Sequence, residues 1–245
     1  MYKRQGYTKE VAEKVWGFIE AFANYGFNKA HAASYAMIAY ETAYLKAHFP
    51  AEYMTALMSV ESGSHSANRD EKVAVGIDAS KKMGLHILPP DINKSNIDFN
   101  LEPDENSKGG LAIRFGFNAI KNVGAAAIEN IVATRDKIGQ FQSFSHFLMT
   151  TDNRKVNKKV LESLIKVGAF DQFASRASML SQLEEIRAKV NQFSSDIDGQ
   201  DGLFSGLGDS SQNIQDTFPK LPEYPQAELL SFEKELLGVY LTDHP

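Results

Sequence analysis

The stretch Leu111 to Thr134, LAIRFGFNAIKNVGAAAIENIVAT, constrains this chain more than any other. A short β-prone run, Leu111 to Phe115, leads into an apolar segment. The tetrad Lys121-Asn122-Val123-Gly124 then turns the chain sharply into a small-residue helix, Ala125 to Val132. Asn and Gly tolerate φ > 0, so the reversal between two helices can be tight. The first backbone N–H groups of the second helix are left pointing outward, where the helix dipole favours an anion. Ala125, Ala126 and Ala127 carry little bulk, so a backbone or a phosphate can come close. Ile120, Val123, Ile128, Ile131 and Val132 supply the apolar contacts that hold the hairpin together. From these residues alone the turn either binds an anion or merely packs.

Charge weighs on that choice. From Leu111 to Lys166 there are nine Lys/Arg and four Asp/Glu, a net of +5, in a chain whose overall net charge is −5. A basic island in an acidic chain is the electrostatic footprint of a phosphate-backbone binder. The segment resembles a helix-hairpin-helix motif, which grips DNA phosphates without reading sequence. The usual turn is Gly-apolar-Gly; here Asn122 replaces the first Gly, and Asn also accepts the left-handed conformation.

Other classes of function are excluded by what is missing. No apolar run is long enough to span a bilayer, and MYKRQGYTKE lacks the apolar core of a signal peptide. The absence of cysteine rules out disulfides and thiolate zinc sites and fits a cytoplasmic protein. The His residues (31, 48, 65, 86, 146 and 244) do not sit at metal-ligand spacing, so no metal site is expected. No P-loop and no Gly-x-Ser-x-Gly occurs.

Along the chain, the patterning predicts a mainly α-helical fold with a small β element. Residues 8 to 25 form an amphipathic helix capped by Thr8, with Val11, Val15, Phe18, Phe22 and Tyr25 on one stripe, widened by Trp16 and Ile19. Helices are expected at 34–48, 51–62 and 69–83, so that residues 1–84 make an all-helical unit. Residues 85–115 form a connector: Pro89-Pro90 forbids helix, and His86 to Leu88, Asp98 to Leu101 and Leu111 to Phe115 can pair as short strands. Residues 116–193 follow as the hairpin region. There the helix 157–167 ends in LIKVGAFD (164–171), a second, degenerate hairpin turn, and a helix at 177–193 closes the region. Residues 194–217, rich in Ser, Asp, Gly and Gln, read as a flexible acidic loop, with Leu203 and Phe204 as isolated apolar residues. Residues 218–245 hold a final helix at 232–239. From Val190 to Pro245 the net charge is −8, so this end does not hold DNA.

Tyr25 to Glu52, YGFNKAHAASYAMIAYETAYLKAHFPAE, resembles the fingers region of the bacterial DNA polymerase III alpha subunits, the C-family replicative polymerases. LPPDINKSNIDF (88–99), IRFGFNAIKNVGAAAIENIV (113–132), LIKVGAFD (164–171) and ELLGVYLTDHP (235–245) are similar to the same family in the same order. The resemblance spans essentially the whole chain. It implies the end of the fingers followed by a tandem helix-hairpin-helix, clamp-binding region, with the catalytic palm upstream and an OB-fold downstream. Two-metal phosphoryl transfer needs clustered carboxylates. No such cluster is found in this sequence, so no catalytic residue and no bound cofactor are expected in the fragment, which is predicted inactive on its own. Mg2+ is implied only for the intact polymerase, through the palm.

The same resemblance implies roles for particular residues. Asn28, Lys29 and His31, at the start of a helix, lie near the nascent pair and the incoming deoxynucleoside triphosphate; the alternative is a local cap and a polar pair. Lys121, Asn122, Val123 and Gly124 touch duplex phosphates through backbone N–H groups, and Lys155, Lys158 and Lys159 add long-range attraction; the alternative for these lysines is a solvated helix face. Gln200, with Leu203 and Phe204 three and four residues later, is similar to the family's internal motif for the sliding clamp. Apolar anchors in an acidic loop suit a partner's pocket, although Asp201 and Gly202 depart from the favoured spacer; the alternative folds Leu203 and Phe204 onto the last helix. Two rival readings of the whole chain remain: a non-enzymatic DNA-repair adaptor with tandem hairpins, and a purely structural helical domain.

Overall fold

In the computed structural model of the chain, the described residues are 6–25, 29–64, 66–198 and 216–242. They form two compact units, Met1–Pro50 and Ala51–Pro245.

The first unit holds α1 (Lys9–Tyr25) and α2 (Lys29–His48). Thr8 starts α1 as its sequence suggests, its Oγ1 accepting the Val11 N–H. The apolar stripe of α1 forms but is not covered: Val11, Val15, Trp16, Phe18 and Ile19 are exposed. Helix α2 begins five residues before the expected Ser34, because Ala30, Ala32 and Ala33 are strong helix formers and nothing between them breaks the helix. Its expected face is open as well, with Tyr35, Ile38 and Leu45 exposed.

The second unit contains α3 (Pro50–Ser62), α4 (Arg69–Lys82), β1 (Ile87–Leu88), β2 (Asn100–Pro103), β3 (Leu111–Arg114), α5 (Ala125–Ile138), α6 (Phe144–Thr150), α7 (Lys158–Lys166), α8 (Arg176–Asp198) and α9 (Gln226–Leu237). Pro50 suits the first position of α3, where its missing N–H costs nothing. The strands order as β1-β3-β2, with β1 parallel and β2 antiparallel to β3. All three segments expected to pair do so. Ala51, Met54 and Met58 of α3 and Val73 and Ile77 of α4 share one core with the sheet and with α5 to α9. The compact units therefore divide at Pro50, whereas composition suggested a change of character at residue 84. Gly76 permits the α3–α4 approach; a Cβ there would lie 2.8 Å from Met58 Cγ.

An aromatic cluster fills the centre of the second unit. Phe144 and Phe147 each meet Phe170 edge to face at 5.0 Å between ring centroids, and Phe141 meets Phe147 at 4.9 Å. These fully buried rings carry much of the apolar area that holds α6 to the α7–α8 turn.

Three further elements differ from expectation. Helix α8 runs on to Asp198, because Ser194 to Asp198 contain no Gly or Pro to break it; residues 194–198 are thus not loop. Helix α9 starts at Gln226, directly after Pro225, with Glu228 in the first turn where the dipole favours it. The first arm of the central hairpin is a single 3-10 turn, Phe117–Ala119, not a full helix. Gly116 precedes it at a backbone crossing, where a Cβ would fall 2.6 Å from Phe99 N and 2.7 Å from Asp98 O.

Candidate nucleic-acid interface

The turn between the 3-10 arm and α5 is built by Asn122, the sole non-Gly residue with positive φ (67°) among the described residues. Its amide Nδ2 donates to Ser163 Oγ on α7 at 3.3 Å. Gly124 follows in extended conformation as the N-cap of α5. Ile120, Val123, Ile128 and Ile131 are buried and Val132 is partly buried against the core, so they fasten the turn and α5 as expected, while Ala127, expected to leave room for an approaching phosphate, is buried instead.

The N-terminus of α5 is open. Gly124, Ala125 and Ala126 are exposed, and their N–H groups have no hydrogen-bond partner among the described residues. The intrahelical ladder starts only with the Ala127 and Ile128 N–H groups, both donating to Gly124 O. A Cβ placed on Gly124 would meet nothing within 4 Å, so no described atom crowds that residue. A cluster of unpaired N–H groups at a helix start, unobstructed by side chains, is chemically fitted to a phosphate oxygen.

The rest of the expected tetrad plays other parts. The Lys121 N–H donates to Leu236 O on α9 at 2.9 Å, and its ammonium pairs with Asp70 at 3.2 Å. The Val123 side chain is buried and its N–H donates to Ile120 O. Of Lys121, Asn122, Val123 and Gly124, then, Gly124 offers an outward donor next to those of Ala125 and Ala126, while Lys121 and Val123 have theirs engaged.

The flanking cations divide in the same way. Lys158 is neutralised by Glu184 at 2.7 Å and lies 3.8 Å from Glu162; the hydrogen bond to Glu184 raises its pKa. Lys155 and Lys159 are exposed and carry no ion pair among the described residues, as does Arg154, which sequence alone did not single out. Lys159 lies one turn before Ser163, the partner of Asn122, on α7. Asn130, one turn beyond Ala126 on α5, accepts the Asp152 N–H at 2.9 Å. That bond lays the loop carrying Arg154 and Lys155 along α5. Two other cations of the basic island are internal fittings. Arg135 is buried, its guanidinium donating to Ile92 O, Ser95 O and Asn96 Oδ1, and Arg114 bonds Glu102 and Pro89 O.

The second hairpin turn differs from the first. Gly168 has φ 85°, but its surroundings are closed by Arg176, which bonds Asp171 and Lys166 O. At the start of α8 the Arg176 and Ala177 N–H groups both donate to the Glu223 carboxylate. The second turn thus shares with the first a residue of positive φ, but α8 opens eight residues after it, at Arg176, and the donors at its start are already occupied.

Among the other expected residues, Lys29 opens α2 and His31 lies in its first turn, its ring 4.4 Å from that of Tyr35. Both are exposed and belong to the first unit. Asn28, Gln200, Leu203 and Phe204 lie outside the described residues. Among the described residues no group of three or more metal-ligating side chains stands together, and no helix is long and apolar enough to cross a membrane.

Residues 84–179 match the family described as Helix-hairpin-helix motif. Across 99% of its length the chain is similar to proteins named DNA polymerase III subunit alpha. It is 39% identical to that of Vibrio cholerae over 245 residues, 40% identical to that of Campylobacter jejuni over 246 residues, and 37% identical to that of Escherichia coli K12 over 245 residues. In each case it spans about one fifth of the relative's length. A match of this extent, with the hairpin inside it, means that the chain belongs to the DNA polymerase III alpha subunit family, over a stretch that includes the helix-hairpin-helix motif.

Proposed function

We propose that this chain holds duplex DNA by its backbone, without reading sequence, through the Gly124-Ala125-Ala126 amides at the start of α5. Arg154, Lys155 and Lys159 provide attraction around them. The observation that carries this reading is the open cluster of N–H donors with no described atom crowding Gly124. Contacts of this kind position a duplex and carry no base information. In the longer protein this grip serves template-directed DNA synthesis, the activity that the relatives' name describes.

The remaining assignments follow the family. Residues 1–84 act as the end of the fingers, 85–115 as a connector, 116–193 as the DNA-holding region, 194–217 as the clamp tether and 218–245 as the lead into the next domain. Asn28, Lys29 and His31 serve the nascent pair and the deoxynucleoside triphosphate. Gln200, Leu203 and Phe204 dock on the sliding clamp, which raises the effective concentration of the polymerase at the primer end. The Mg2+ chemistry belongs to carboxylates elsewhere in the polymerase, which works in the bacterial cytoplasm.

The test is a salt titration of duplex binding, read by fluorescence anisotropy with duplexes of unrelated sequence. Ala125→Pro removes one donor at a helix position that tolerates proline, after a Gly124 already in the extended conformation proline requires. It should keep the fold by circular dichroism and weaken binding about tenfold or more, as expected for loss of a hydrogen bond to a charged group. Lys155→Ala and Lys159→Ala should each lower the log–log salt slope by up to about 0.9, and Lys158→Ala should leave it unchanged. Undiminished binding by Ala125→Pro would remove the α5 site from consideration.

A further inference from the structure

We propose that Lys121, Asp70 and the Leu236 carbonyl form a positioning node for the α5 turn, with Lys121 acting as a brace and not as a phosphate ligand. This rests on the phosphate-binding reading of that turn. The node uses two elements outside the span 84–179 that matches the hairpin family: α4, which carries Asp70, and α9, which carries Leu236.

Three tethers meet at the turn. The Lys121 N–H reaches Leu236 O at 2.9 Å, where the C-terminal carbonyls of α9 carry partial negative charge. The Lys121 ammonium reaches Asp70 Oδ2 at 3.2 Å. Asn122, the next residue, bonds Ser163 of α7. Asp70 also lies against the C-cap of α9, since a Cβ on Gly238 would fall 3.6 Å from Asp70 Cβ. The start of α4 and the end of α9 therefore abut, and Lys121 bridges them. Partial burial raises the Asp70 pKa, but the bonds from Lys121 and Arg69 outweigh it and hold the carboxyl below its ordinary value.

The geometry decides between brace and ligand. Turned toward a phosphate, the Lys121 ammonium would either bring the Asp70 carboxylate close to the DNA backbone or leave it to Arg69 alone. Held where it is, Lys121 fixes the entry to Asn122 in its left-handed conformation and so aims the amides of Gly124, Ala125 and Ala126.

The experiment combines amide hydrogen exchange with salt titration on the full chain. In the free chain, the Lys121 amide should exchange slowly and those of Gly124, Ala125 and Ala126 rapidly; a random-sequence duplex should protect the latter three and leave Lys121 unchanged. Lys121→Gln should weaken duplex binding by up to about fivefold, the scale of a partly exposed ion pair, with the salt slope unchanged. Asp70→Asn combined with Lys121→Gln, which restores an uncharged hydrogen-bonding pair, should recover affinity to within about twofold. A slope lowered by about 0.9 in Lys121→Gln with no recovery in the double variant would overturn the brace and make Lys121 a phosphate ligand. Rapid exchange of the Lys121 amide in the free chain would overturn it without reference to DNA. Absence of duplex binding by the unaltered chain would refute the phosphate reading instead, and the exchange rate of Lys121 would still decide whether the tether to Leu236 exists.

Discussion

Glu223 accepts the Arg176 N–H at 2.8 Å and the Ala177 N–H at 3.2 Å, so the N-terminus of α8 already carries an anion supplied by its own chain. The same segment places Asp216 on the Phe144 and Ser145 N–H groups of α6 at 2.6 and 2.9 Å. Between them Ser178 Oγ donates to Pro219 O and accepts the Leu221 N–H. Residues 216–223 are thus fastened across α6 and α8 by groups that match helix starts chemically. The two helix starts differ in availability: α5 presents its donors, and α8 spends its own on Glu223.

Glu223→Ala tests that difference. Loss of the cap should cost about 1 kcal/mol of stability, read as a lower urea midpoint, and should open residues 216–223 to limited proteolysis. Duplex affinity and its salt slope should stay as they are. A slope steeper by about 0.9 would mean that a freed α8 takes a phosphate, and that the second turn is a DNA contact held in check.

Asn122 is required by conformation, and Gly can replace it. Asn122→Gly should keep duplex binding within about threefold, since it retains the positive φ and gives up one long side-chain bond to Ser163. Asn122→Val should cost about 1–2 kcal/mol of stability, because a β-branched residue is strained in the left-handed region, and should bind duplex poorly. Equal melting temperatures for the two variants would contradict this account.

Glu102 links stability to pH. Partial burial raises its pKa, but hydrogen bonds from Lys94 and Arg114 outweigh it and hold the carboxyl below its ordinary 4.5. The folded state therefore binds this proton less readily than the unfolded state does. The stabilisation is complete above the ordinary value and is lost as pH falls through the lower folded one. Glu102→Gln should lose about 2–3 kcal/mol at neutral pH, since it leaves the buried Arg114 guanidinium without its anion, and its stability should fall less steeply below pH 4.5. Urea melts from pH 7 to pH 3 would show it; parallel curves for the two proteins would place the acid sensitivity elsewhere.

At Gly116 no side chain fits, because the Asp98–Phe99 peptide occupies the space a Cβ would take. Gly116→Ala should therefore destabilise by about 3 kcal/mol or more. A thermal melt within a few degrees of the parent would show that this crossing can relax.

Periodicity carried most of the helices because their apolar faces are paired locally: Val73 and Ile77 on α4, and Val160, Leu161, Leu164 and Ile165 on α7, are all buried as their spacing demands. It also found α1, although there the stripe of Val11, Val15, Trp16, Phe18 and Ile19 is exposed. The α5 turn was legible since Asn122, Gly124 and three alanines are a local signature. Its supports were not. Asp70 and Leu236 are distant in sequence and ordinary in type, and only tertiary folding brings them to Lys121. Charge counting overstated the interface for a similar reason. Arg114 and Arg135 spend their charge inside the unit, and Lys121 and Lys158 spend theirs on Asp70 and Glu184. Three cations beside the turn remain exposed and unpaired among the described residues, Arg154, Lys155 and Lys159.

Lys81, near the end of α4, donates to Tyr240 O and Leu241 O at 3.0 and 3.1 Å. Together with the Glu233 carboxylate, which accepts the Leu241 and Thr242 N–H groups, it clamps the backbone just past α9. A pull on residues 241–242 would thus be shared between α4, through Lys81, and α9, through Glu233, the same two elements that tether Lys121.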